Sequence, residues 1–139
     1  MNRASAKHLS ESWILDAKTL LDAGRWHAAY YLLGYAVECG LKACVLAYIE
    51  DSGVIFQDKR FAEKCFTHEI EVLVKAANLE VPRGIDIQAD PVLAANWQIV
   101  KDWNVEVRYK EQGEANAQRL FPAVTDELNG VLPWIKAHW

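Results

Sequence analysis

A glutamate and a lysine one helical turn apart, Glu38 and Lys42, interrupt the run Arg25 to Tyr48 (RWHAAYYLLGYAVECGLKACVLAY), which is otherwise apolar almost all the way round. At roughly 100° per residue, His27, Tyr31, Gly34, Glu38 and Lys42 fall in one sector about 80° wide, while Ala28, Ala29, Leu32, Leu33, Ala36, Val37, Cys39, Ala43 and Cys44 cover the rest. A helix apolar on nearly every side belongs inside a bundle, where a carboxylate is tolerated only when paired and hydrogen-bonded. Glu38 ahead of Lys42 is the order that favours attraction. Two roles follow. In one, the pair is an internal ion pair that sets helix register, with Arg108 as a second cation. In the other, Glu38, Lys42 and Arg108 line a cleft between helices or at a dimer interface, where the cations meet a phosphate and the carboxylate orients a ligand hydroxyl. His27 and Tyr31 share the stripe and extend a hydrogen-bond network, with a satisfied structural role as the alternative for His27.

Arg108 is the best single candidate for a functional residue. Followed by Tyr109 on an irregular segment, it can present a guanidinium fork to phosphate beside a ring for stacking. Its structural alternative is bonding to Glu38 or to exposed helix-end carbonyls. Two Arg-His pairs compete with it poorly. Arg3 and His8 lie at the fraying N-terminus, and Arg60 and His68 straddle a loop and a helix start. No HExxH, paired CxxC or His-Cys cluster offers metal-ligand spacing, and no GxGxxG, P-loop or nucleophile elbow is present, so neither a metal nor another cofactor is expected.

At 139 residues the chain fits one domain, 1–139, able to bury about two-thirds of its unfolded surface. With 52% hydrophobic and 24% charged residues it reads as globular rather than disordered. A net charge of −4 argues against a broad basic surface for nucleic acid, and leaves room for a small local basic site. The run from Arg25 is long enough to raise a membrane span, but Glu38, Lys42 and His27 would sit in hydrocarbon, so no membrane role is expected. MNRASAKHLSESW lacks the apolar core of a secretory signal, and an odd count of three cysteines fits a reducing compartment, so the expected location is cytoplasmic.

The elements that position these residues are all helical. The first helix is expected over about Ser5 to Asp22, with Leu9, Trp13, Ala17, Leu20 and Leu21 inward and Gly24 as its C-terminal cap, forming a hairpin with the second. EDSGVIFQDKRFAEKC reads as a loop holding one helical turn. Thr67 then caps a short helix, His68 to Asn78, with Ile70, Leu73, Val74 and Ala77 inward. VPRGIDIQAD resumes loop character. Asp90-Pro91 starts a fourth helix with Val92, Ala95, Ile99 and Trp103 on one side. NVEVRYKEQG reads as a charged, partly extended stretch. A fifth helix follows from about Glu114 to Leu128, kinked or broken at Pro122 and closed by Asn129-Gly130. VLPWIKAHW gives a last short helix, whose Trp134 and Trp139 cover the bundle end or anchor a homodimer. The fold class is all-α, an up-and-down bundle of four to five helices with a short extra C-terminal helix.

The segments GRWHAAYYLLGYAVECGLKACV, THEIEVLVKAANL, DWNVEVRY and GVLPWIKAHW together resemble the HEPN domains (higher eukaryotes and prokaryotes nucleotide-binding), small bundles of four or five helices. The likeness spans nearly the whole chain and is weakest from Asp51 to Phe66. Its strongest element is the small-aromatic helix opening that leads to Glu38 and Lys42, and Arg108-Tyr109 is a shorter match. Many such domains look like ribonucleases of toxin-antitoxin and defence systems, using an arginine and a histidine with four to six residues between them. Others resemble non-catalytic partners of small nucleotidyltransferases, or nucleotide-binding modules. If Arg108 is the family arginine, the histidine falls at 113 to 115, which here are Gly113, Glu114 and Ala115. The resemblance therefore implies a binding module, dimeric, engaging a nucleotide, an RNA or a nucleotidyltransferase-type partner through Arg108, Tyr109, Lys42, Glu38 and Tyr31. The alternative is a metal-independent ribonuclease in which Arg108 stabilises the phosphate and His27, Glu38 or Tyr109 moves the proton.

Overall fold

The computed structural model describes residues 1–53 and 59–139. Its described residues form eight α-helices, one 3₁₀ helix and no strand: α1 (Arg3–Asp22), α2 (Trp26–Ser52), α3 (Lys59–Cys65), α4 (Ile70–Ala76), α5 (Glu80–Ala89), α6 (Pro91–Lys101), the 3₁₀ helix (Val105–Tyr109), α7 (Glu114–Thr125) and α8 (Val131–Lys136). The protein is an all-α bundle, as its periodicity predicts.

Helices α1 and α2 form the expected antiparallel hairpin. Gly24, at φ 72°, takes the left-handed conformation that ends α1, and the Gly24 and Arg25 amides donate to the Leu21 and Leu20 carbonyls, closing the turn in a Schellman motif. The contact between the two helices is made by small residues: Ala6, Ser10 and Ala17 are fully buried, and Ser10 Oγ donates to the Ala36 carbonyl at 2.7 Å. Leu9, expected inward, is 37% exposed, because the face that meets α2 closely has room only for small side chains.

Helix α2 is the axis of the molecule, with α1, α4, α7 and α8 packed around it. Two glycines cut notches in its surface. A Cβ on Gly34 would lie 2.0 Å from the Trp103 ring, so the indole rests directly on the α2 backbone there. At Gly40 the notch receives α8, where a Cβ would come within 3.0 Å of Ile135 and 3.2 Å of Leu132. Among the described residues α2 is also the one helix long and apolar enough to cross a membrane, and 67% of its apolar window is buried by its neighbours.

Several expected boundaries shift, for physical reasons. Helix α2 continues to Ser52, where Gly53 at φ 68° caps it, and α3 occupies the end of the segment expected as a loop; the part of that loop at 54–58 lies outside the described residues. Helix α4 starts at Ile70 rather than His68, with Ile70, Leu73, Val74 and Ala77 buried as expected. VPRGIDIQAD, expected as a loop, lies largely in α5. Pro82 occurs in the first turn, where a missing amide proton costs no helical bond. Asp90 caps α6 as expected, accepting from the Val92 and Leu93 amides, and Trp103 is buried as expected, but within α6 the buried face is Leu93, Trp97 and Val100 rather than Val92, Ala95 and Ile99. Trp97 sets that rotation, since its ring packs edge-on against Trp134 at 5.6 Å. Of the stretch expected as partly extended, Val105–Tyr109 folds as the 3₁₀ helix, with the Asn104 side chain accepting from the Glu106 amide. Pro122 is accommodated inside α7, which ends at Thr125 rather than Leu128. Within this chain Trp134 donates Nε1–H to Asp86 at 2.8 Å, and Trp139 rests beneath the Lys7 and Lys136 ammonium groups.

Candidate functional site

The polar stripe of α2 does not build one site. It divides between two places about 16 Å apart, since His27 and Glu38 are eleven residues apart at 1.5 Å of rise each.

At the first place, Glu38 is 2% exposed and its Oε1 accepts two hydrogen bonds, from Lys42 Nζ at 2.7 Å and from His68 Nδ1 at 3.0 Å. The Lys42 pair is the one the spacing predicts. The second partner, expected to be Arg108, is instead the imidazole of His68, carried by the short connection that leads into α4. Thr67 shapes that connection, its hydroxyl accepting from the Glu69 amide at 3.1 Å. Oε2 of Glu38 is buried and has no hydrogen-bond partner among the described residues. Aromatic rings enclose the cluster: Tyr35 lies 6.4 Å from the His68 ring and 6.3 Å from Trp103, and Tyr31 lies 5.3 Å from Tyr35. Burial and then the Glu38 charge push the Tyr35 phenol up, and the same two causes push the Cys39 thiol up to about 11. Both groups are therefore protonated at neutral pH. The cluster holds one buried carboxylate, one partly covered ammonium and one imidazole whose ring is nearly half exposed.

At the second place, Arg25, Trp26, His27, Arg108, Tyr109, Glu111 and Gln112 line a groove of about 450 Å³ between the start of α2 and the segment after the 3₁₀ helix. The Arg108 guanidinium stands 4.9 Å from the Tyr109 ring centre, and Tyr109 is 76% exposed. Arg108 does not reach Glu38, because Trp103 in the Gly34 notch fixes the end of α6 and the five-residue 3₁₀ helix carries Arg108 on towards the α1–α2 turn. His27 accepts from the Gln112 amide through Nδ1 at 3.0 Å, so its proton is on Nε2. A second groove of about 320 Å³ shares Gln112 and adds Lys110, Asn116 and Arg119, with Asp102 and Glu106 opposite.

The structure thus brings Glu38 and Lys42 together, and Arg108, Tyr109 and His27 together, while Tyr31 packs between the two groups at 6.2 Å from Trp103. Sequence reasoning missed His68 and Tyr35. A buried carboxylate with only one cation along its own helix calls for another donor, and a histidine just ahead of a core-forming helix was the available signal. Among the described residues no three metal-ligating side chains converge. Arg3, of the Arg3–His8 pair, is bound to Glu50 at 3.0 Å. The chain matches no protein family, no curated protein and no solved structure in the comparisons made.

Proposed function

We propose that this chain is a HEPN-like helical module that holds a phosphate-bearing ligand, a nucleotide or an RNA backbone, in the groove at the start of α2 without cleaving it. In this reading it works as a cytoplasmic homodimer beside a nucleotidyltransferase-type partner in a toxin-antitoxin or defence setting. The observation that carries the reading is the groove itself, which sets Arg25 and Arg108 beside the exposed Tyr109 ring in a chain of net charge −4. A guanidinium fork matches phosphate oxygens, and a ring with one open face accepts a base by stacking.

The competing reading, a metal-independent ribonuclease, needs a group that accepts the proton of the attacking hydroxyl. His27 lines the groove, but its acceptor nitrogen already takes the Gln112 amide proton. Glu38 is about 16 Å along α2, buried, with its Oε1 held by Lys42 and His68. Of the three proton carriers named from the sequence, Tyr109 alone lines the groove without a hydrogen bond among the described residues.

The test is equilibrium binding of a labelled single-stranded RNA and of a nucleoside triphosphate by full-length protein, with cleavage followed in chelator. Loss of one charge-assisted contact in an open groove predicts about tenfold weaker binding for Arg108→Ala, near the low end of the 1.5–3 kcal/mol range, with an unchanged melting temperature. Cleavage that Arg108→Ala abolishes would instead establish the ribonuclease reading. Failure of wild type to bind either ligand would remove the ligand part of the proposal.

A further inference from the structure

The Glu38–His68 pair is separate from the groove and has a chemistry of its own. Glu38 is locked inside the bundle, yet the imidazole it holds is 46% exposed. The bond uses Nδ1, and a carboxylate can only accept, so the neutral ring carries its proton on Nδ1 and its lone pair on Nε2. Nε2 has no hydrogen bond among the described residues, and nearly half of the side chain is open to solvent. An imidazole so held is a better nucleophile than a free one, because the neighbouring carboxylate opposes the positive charge that develops on the ring as Nε2 bonds to an electrophile. Lys42 adds selectivity. Its ammonium and the His68 Nδ1 donate to the same Oε1 at 2.7 and 3.0 Å, so Nζ lies within about 6 Å of Nδ1 and within about 8 Å of Nε2, close enough to act through its field rather than by contact. An anionic electrophile gains from that cation, whereas a neutral one does not.

We propose that His68 is a phosphoryl-acceptor site, modified at Nε2 by a small acyl phosphate. In the step, the Nε2 lone pair forms an N–P bond, the P–O bond to the acyl group breaks, and the carboxylate leaves with the bonding electrons. The Nδ1 proton stays between ring and Glu38, and the cationic phosphoimidazole faces the Glu38 carboxylate. Tyr35, Cys39 and Cys65 do not compete, since burial raises the pKa of all three.

The chain contains its own reference, His8, exposed on α1 away from any buried carboxylate. Full-length protein treated with acetyl phosphate at pH 8 and mapped under conditions that preserve acid-labile phosphate is expected to carry label on His68 at least about tenfold faster than on His8, a modest share of what positioned acid-base groups achieve. Glu38→Gln is expected to bring His68 down to the His8 rate. Lys42→Gln is expected to slow acetyl phosphate while leaving the neutral acylating reagent diethyl pyrocarbonate unaffected. Equal labelling of His68 and His8 overturns the proposal, and so does a Lys42→Gln variant that treats both reagents alike. Because Glu38→Gln alters a buried group, nitrogen-15 NMR of the wild-type imidazoles gives an independent reading. A His68 ring protonated on Nε2 rather than Nδ1 refutes the proposal without any variant.

Discussion

Replacing Gly34 by alanine tests the claim that Trp103 seats the Arg108 segment. The new Cβ would meet Trp103 Cδ2 and Cε2 at 2.0 Å, whereas carbon atoms rest comfortably at about 3.5–4.0 Å, so the indole must withdraw by about 1.5 Å. It has nowhere to go: Trp103 is 2% exposed and boxed by Tyr31 and Tyr35, whose ring centres lie 6.2 and 6.3 Å away. Overpacking of this kind costs about 1–3 kcal/mol, and a forced movement this large calls for the upper end. The alanine recovers about 1 kcal/mol of helix propensity. The expected net loss is about 2 kcal/mol, which for a chain of this length lowers the melting temperature by about 7 °C. Thermal and denaturant unfolding measure the loss. Repeating Gly34→Ala in a Trp103→Leu background, where the notch is vacated, should remove the overpacking, leave the propensity gain of about 1 kcal/mol and show a coupling of about 3 kcal/mol. Because Trp103 precedes the 3₁₀ helix, Gly34→Ala should also weaken ligand binding in the groove. An unchanged or raised melting temperature in the single variant would refute the packing argument, and with it the account of how Arg108 is placed.

Two further perturbations read other parts of the structure. Gly84, inside α5, has open space where a Cβ would go, so Gly84→Ala should stabilise the protein by about 0.5–1 kcal/mol in the same unfolding experiment, the opposite sign from Gly34. The Arg83 guanidinium grips Glu71 through two bonds of 2.7 and 2.6 Å and holds its carboxyl below the usual 4.5. A carboxylate with a depressed folded pKa stabilises the fold above its unfolded value and loses that contribution as pH falls through the folded value. Glu71→Gln should therefore cost up to about 1 kcal/mol at pH 7, discounted because the carboxylate is 37% exposed, and the difference from wild type should vanish on acidification well below pH 4.5. A difference independent of pH would place the effect in packing instead.

The sequence disclosed what repeats locally. The α1–α2 hairpin, the Asp90–Pro91 helix start and the Glu38–Lys42 pair all depend on neighbours a few residues apart, and the structure contains each. It disclosed less of what depends on distant partners. Helix α5 buries no residue completely; Arg83 anchors it to Glu71 and stacks 4.8 Å from Trp97, and Asp86 takes the Trp134 proton, none of which Pro82 and Gly84 advertise. The Glu38 stripe implied a second donor but not its identity, because His68 is 30 residues away and Arg108 was the more conspicuous charge. The separation of Arg108 from Glu38 follows from the Trp103 notch, a contact between residues 69 apart that no local pattern records.

The central position of α2 sets an order of events during synthesis. The hairpin closes over a three-residue turn, so its loop entropy is small and the two helices can pair as soon as both are made. Part of the coat of α2 comes much later: the thiol of Cys44 meets the carbonyl of Ile135, 91 residues downstream. At about 5–20 residues per second, α2 waits about 5–18 s with that flank bare while the remaining helices are polymerised. For those seconds the nascent chain is a half-clothed apolar rod, and the small-residue seam of Ala6, Ser10 and Ala17 against α2 is what keeps it folded back on itself until α8 arrives.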